Sequence, residues 1–195
     1  GVGDGGAVTV AWRRDRDRVA AAGESSCSSY GVVQAASRLA GHRAFGGPET
    51  LSKTVRMNCG IAVTAAADGS ATVVWSRYAG KTTVVEVAAR APGKIRYRAT
   101  VRLSTAGHRA YAPAVAATPD GTTTVVWLQS DGGLRVRAAT RGPADVRFGT
   151  SVPVSGVVTE PTPPRVVAGL DRNLIVWRAV TAAKRLVQAV MTVPR

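Results

Sequence analysis

The stretch AVAATPDGTTTVVW, Ala114 to Trp127, decides the fold. It reads as a short apolar strand, an Asp-Gly turn and a second strand ending in Trp. Glycine after Asp supplies positive φ at no steric cost, as a tight hairpin requires. Three further segments repeat the pattern: DGGAVTVAW (Asp4 to Trp12), DGSATVVW (Asp68 to Trp75) and DRNLIVW (Asp171 to Trp177). Each Trp is followed by another apolar strand: VVQAASR from Val32, VVEVAAR from Val84, RVRAATR from Arg135 and LVQAVMT from Leu186. An aromatic comes next, with a Ser of Leu-Ser or Val-Ser beyond it, as in Phe45 to Ser52, Tyr97 to Ser104 and Phe148 to Ser155. Before each later Asp lies a strand of small apolar residues: GIAVTAA from Gly60, PAVAAT from Pro113 and PRVVAG from Pro164.

Several columns agreeing at one period define a repeat of about 50 residues with four short strands, a to d, which is the size of one propeller blade. Strand b is apolar on both faces, as in Val125, Val126, Trp127 and Leu128. A sheet wetted on one side would alternate, so both faces are expected to be covered by neighbouring sheets. No segment carries sustained helical periodicity. The expected fold is all-β: a single β-propeller domain of about four four-stranded blades, three complete and one partial. The repeats fall at about 1–52, 53–104, 105–155 and 156–195. They read bcd, abcd, abcd and abc. That order fits a compact ring, half of a ring completed by a second copy, or a segment of a larger propeller. Unpaired strand edges favour the last two.

The pattern resembles the secreted actinobacterial β-propeller repeat proteins, whose blades read roughly A-x-A-x-x-P-D-G-x-x-x-V-V-W. The resemblance covers nearly the whole chain and implies the fold. It implies little about function, because propellers serve as lectins, scaffolds and enzymes alike. The sialidase Asp-box, S-x-D-x-G-x-x-W, does not fit: the Trp lies too far beyond the Asp, and no Ser precedes it at the right offset.

The chain carries 26 basic and 12 acidic residues, a net charge of +14. Its Arg residues are spread along the sequence, which favours high-GC codon usage over a dedicated polyanion site. Only Arg13, Arg14, Arg16 and Arg18 cluster, and Asp15 and Asp17 interrupt them. Few aromatics interleave with the basic residues, which argues against nucleic acid. No apolar run reaches the length of a membrane span.

If successive strands alternate direction, the b–c and d–a loops share one rim and the a–b and c–d turns share the other. Cys27, in the first b–c loop, and Cys59, at the next d–a junction, then meet on one rim of neighbouring repeats. A disulfide between them would contribute roughly 2–4 kcal/mol. It would also imply an oxidising, extracellular setting.

Catalytic groups are sparse. Asp4, Asp68, Asp120 and Asp171 are turn residues, and Glu86 shares its column with Gln34, Arg137 and Gln188. His42 and His108 fall on opposite rims, so no zinc set emerges. No paired carboxylates stand out for glycoside hydrolysis, and no G-x-S-x-G elbow is present. The sequence therefore points to a binding protein without catalytic residues, metal or cofactor. The Trp column reads as packing between sheets rather than sugar platforms. The informative places are those where the repeats disagree, above all the long first b–c loop, Arg13 to Tyr30. On the same rim fall Arg56, Asn58, His108, Arg109 and Tyr111. Residues 13, 14, 16, 18, 30, 56, 58, 108, 109 and 111 form the expected partner surface, since Arg, Tyr and His suit recognition. The expected partner is a protein or a second propeller chain, with a cell-surface glycan as the alternative and a glycosidase-type enzyme behind both.

Overall fold

The computed structural model describes residues 1–3, 6–15, 30–170, 172–181 and 184–191. These residues form antiparallel β-sheets and no helix. The first sheet holds β1 (Val8–Asp15), β2 (Tyr30–Arg38) and β3 (Glu49–Thr50). The second holds β4 (Val55–Ala65), β5 (Ala71–Ala79), β6 (Thr82–Arg90) and β7 (Val101–Arg102). The third holds β8 (Ala110–Ala117), β9 (Thr123–Ser130), β10 (Leu134–Arg141) and β11 (Val152–Pro153). The fourth holds β12 (Arg165–Ala168), β13 (Asn173–Thr181) and β14 (Lys184–Met191). The repeat spacing thus becomes one sheet per repeat. The first two sheets are also joined where Tyr30 pairs with Arg56 and Gly31 with Val55.

Residues 1–3 take the place of strand a in the first repeat, bridging to β1 without forming a full strand. Val2 bridges to Val8, the Gly1 amine donates to the Thr9 carbonyl at 2.8 Å, and the Thr9 amide donates back to Gly1 at 2.9 Å. The segment escapes a sequence reading because it is short and Gly-rich. It must be so: a Cβ on Gly1 would lie 2.6 Å from the Ala65 amide nitrogen of the next sheet.

The columns seen in the sequence are columns in space. Trp12 pairs with Gln34, Trp75 with Glu86, Trp127 with Arg137 and Trp177 with Gln188. The recurring Ser also has a repeated task. Ser52, Ser104 and Ser155 accept the amides of Val33, Val85 and Val136 at 2.8, 3.1 and 2.9 Å. The outermost strand is only two residues long, and this side-chain bond satisfies a buried donor that its ladder does not reach.

Alternation along each b strand sends one set of side chains to each neighbouring sheet. Val73 and Trp75 join Val33, Ala35 and Leu51 of the preceding sheet, with Tyr97 beside them. Val125 and Trp127 join Val74 and Val85, with Phe148. Ile175 and Trp177 join Val126, Leu128 and Val136. Each sheet therefore lays its indole face on the Val face of the sheet before it. Trp75 and Trp127 are wholly buried. The a strands run innermost, and residues 2, 65–67, 117–119 and 168–170 from all four sheets line one cavity of about 400 Å³.

One rim is built alike in successive sheets. Asp68 accepts the Ser70 amide at 2.7 Å and Asp120 the Thr122 amide at 3.0 Å, and Gly69 and Gly121 follow with φ of 80° and 93°. This is the Asx geometry that makes Asp-Gly a turn former. The Thr118 hydroxyl also donates to Asp120, and these bonds hold its carboxyl below the usual value. The same rim buries arginine at the end of strand c. Arg90 is 0% exposed and donates to the carbonyls of Lys94 at 2.7 Å and Gly69 at 3.0 Å. Arg141, in the equivalent place, donates to Thr123 at 3.3 Å and lies over the Phe148 ring. Burial, then Arg98, lowers its pKa, and the charges of Asp68 and Asp145 oppose them. Part of the chain's positive charge is thus internal framework.

Candidate functional site

The opposite rim gathers the b–c turns and the d–a connections, as the alternation of strands requires. Tyr30 pairs with Arg56 across β2 and β4, and the Arg56 guanidinium lies 4.9 Å from the Tyr78 ring centroid at the next b–c turn. His108 Nδ1 is 2.9 Å from the Ser130 carbonyl, and the Ser130 amide donates to Arg109 at 2.9 Å. Thr159 bridges to Val180 in the fourth sheet. His42 lies in the turn after β2, on the other rim, where its amide donates to Leu39.

Several expected loop residues stand in strands instead. Arg13 and Arg14 continue β1 beyond Trp12, because each b–c hairpin keeps its ladder for several residues past the Trp. Arg14 pairs with Val32, and Arg13 forms an ion pair with Asp15 at 2.6 Å. Arg56, Asn58 and Cys59 belong to β4, and Tyr111 belongs to β8. Both strands slip register just inside this rim, between Asn58 and Ile61 and between Tyr111 and Ala114. Gly60 and Ala112 take positive φ there, 138° and 54°, and Glu160 does so at 46° on the way to β12. Such bulges re-aim the side chains beside them. They follow from backbone register, which no residue pattern announced.

On this rim Arg14, Tyr30, Arg56 and Arg109 are exposed, while His108 and Tyr111 are half-buried. The Arg109 guanidinium lies 4.8 Å from the Tyr111 ring centroid. A second guanidinium-on-tyrosine pair thus follows the first around the rim. A cleft of about 260 Å³ opens between Arg14, Asp15, Gly31, Val32 and Thr54. The structure therefore brings residues 14, 30, 56, 108, 109 and 111 to one rim. Arg16, Arg18 and Cys27 lie outside the described residues, as do the side chains of Asn58 and Cys59.

Two charged networks here escaped the sequence reading. Glu86, one of the four residues in the column opposite the Trp, takes both arms of Arg77, at 2.9 and 2.5 Å. Asp131 takes Arg137 at 2.5 Å and Arg135 at 3.6 Å. Both networks join a strand c column residue to the b–c end of its own hairpin. The opposite charges within each hairpin, Arg77 with Glu86 and Asp131 with Arg135 and Arg137, were the available signal.

No family model and no curated protein matches the chain. Among solved structures, the chain is similar to a protein of unknown function from Dyadobacter fermentans, with a TM-score of 0.58 and 12% identity. The match covers 100% of this chain and 63% of the other, so the chain spans less than two thirds of its structural neighbour. The likeness is one of fold.

Proposed function

We propose that the stack of sheets is an arc of a β-propeller, and that the chain is a secreted binding protein whose b–c/d–a rim captures a protein partner. Three things support the propeller reading: stacking in chain order, innermost a strands that share one cavity, and indoles that point one way around the arc. The binding reading is carried by the contrast between rims. One repeats the same Asp turn and buried Arg in the second and third sheets. The other varies more on the same rigid frame: Arg14 and Tyr30 on the first sheet, Arg56 stacked on Tyr78 on the second, and His108 beside Arg109 stacked on Tyr111 on the third. Arginine stacked on tyrosine is common in protein recognition, since both present planar, weakly hydrated surfaces.

The test is capture from the culture fluid of the producing organism by the immobilised chain. Arg14→Glu with Arg109→Glu should abolish capture and leave the circular dichroism spectrum unchanged; undiminished capture would refute the rim. A glycan-binding reading rests on Tyr30, which is 54% exposed. A glycan array separates it from the protein reading, because only a lectin retains sugars without partner protein. The Cys27–Cys59 disulfide proposed for the secreted form is checked by thiol labelling of the unreduced protein, which should find no free thiol.

A further inference from the structure

We propose that the two end faces of the stack are the two halves of one interface, and that a second copy of this chain docks on them head to tail. Val33, Val85 and Val136 hold equivalent places on the Val faces of the first three sheets, and each is 0% exposed beneath the next sheet. Their counterpart on the fourth sheet is Val187, and it is 75% exposed. The opposite end shows the complementary pattern. Tyr97 and Phe148 pack with the indole faces of the second and third sheets. Their counterpart Phe45 is 46% exposed, and Trp12 is only half-buried where Trp75 and Trp127 are fully buried.

Among the described residues, the first sheet thus presents an indole face without a Val face against it, and the fourth a Val face without an indole face. The interface that would join them already occurs three times inside the chain. That continuity identifies the occupant, because a second copy supplies the missing half at each end with the same residues in the same register. The contact is heterologous, one end on the other, and two copies joined at both ends would place eight sheets around one axis. The joint is expected to be weaker than its internal versions. On the fourth sheet the exposed Arg165 and Arg178 stand where the third carries Ala114 and Leu128. This inference is independent of the partner-binding rim, because it uses the flat faces of the end sheets and none of the rim residues.

Sedimentation equilibrium of the whole chain tests it. The expected species is a dimer of 20.2 kDa chains that dissociates on dilution. Val187→Glu and Phe45→Glu change exposed side chains, so each should fold. Each should weaken self-association by about a hundredfold, because a carboxylate is then buried in an apolar joint. Mixing the two variants should restore a dimer, since one joint then has both halves intact. A monomer at all concentrations would overturn the proposal, as it would if further sheets of a longer chain occupied these faces. So would a dimer indifferent to both changes, or one lost with Val187→Glu alone, which would mean like faces pairing.

Discussion

At the a–b rim, Asp68 and Asp120 close the same turn, and Arg90 and Arg141 fill the same place at the end of strand c. At the b–c rim, Arg14, Arg77 and Gln129 occupy equivalent positions two residues beyond their Trp, and each is used differently. Arg14 borders the small cleft, Arg77 holds Glu86, and Gln129 accepts the Trp127 indole N–H at 3.2 Å. A repeated solution marks what every sheet needs in order to stack. Departure from it on the same frame marks where stacking makes no demand and recognition is free to act.

The two rims should therefore respond to mutation in opposite ways. Arg90→Ala should cost the most, about 3 kcal/mol, because it opens a cavity at a wholly buried side chain and removes the donor to the Lys94 and Gly69 carbonyls. Urea unfolding measures it, and a loss below about 1 kcal/mol would remove the structural reading of the arginine column. Ser104→Ala should cost about 1–2 kcal/mol by stranding the Val85 amide, and Ser52→Ala and Ser155→Ala should match it. Unequal costs would mean that the three sheets do not share one construction.

Asp120 offers a smaller effect with a defined sign. Its carboxyl is held below its unfolded-state value by the Thr118 and Thr122 bonds. It therefore contributes stability above the unfolded pKa and loses that contribution as pH falls through the lower folded pKa. Asp120→Asn should flatten acid unfolding in that window, and an unchanged pH profile would contradict the turn geometry. The smallest change in stability belongs to the other rim, where Arg109→Glu should stay within about 0.5 kcal/mol.

The sheet boundaries, the Trp column and the separation of the two histidines were legible in the sequence, because side-chain periodicity records which face is covered. The buried Arg90 and Arg141, with the half-buried Arg38, were visible in the sequence, each four residues beyond its Trp-opposing column. They read as surface charge because sequence does not show that a guanidinium finds carbonyls inside a turn. The strand placement of Arg13, Arg14, Arg56 and Tyr111 was not legible either. Ladder length past the Trp and the slips at Gly60 and Ala112 depend on backbone register. The rim as a gathering of residues followed from topology alone.

The most direct test sets the rims against each other at equal charge. Arg14→Glu with Arg109→Glu reverses two cations on one rim, and Arg43→Glu with Arg147→Glu reverses two on the other. Both pairs are exposed, so neither should unfold the chain. Capture of the same partner from culture fluid should vanish with the first pair and persist with the second. Equal loss from both would mean bulk charge rather than a rim does the binding, and loss from the second pair alone would place recognition on the wrong side of this account.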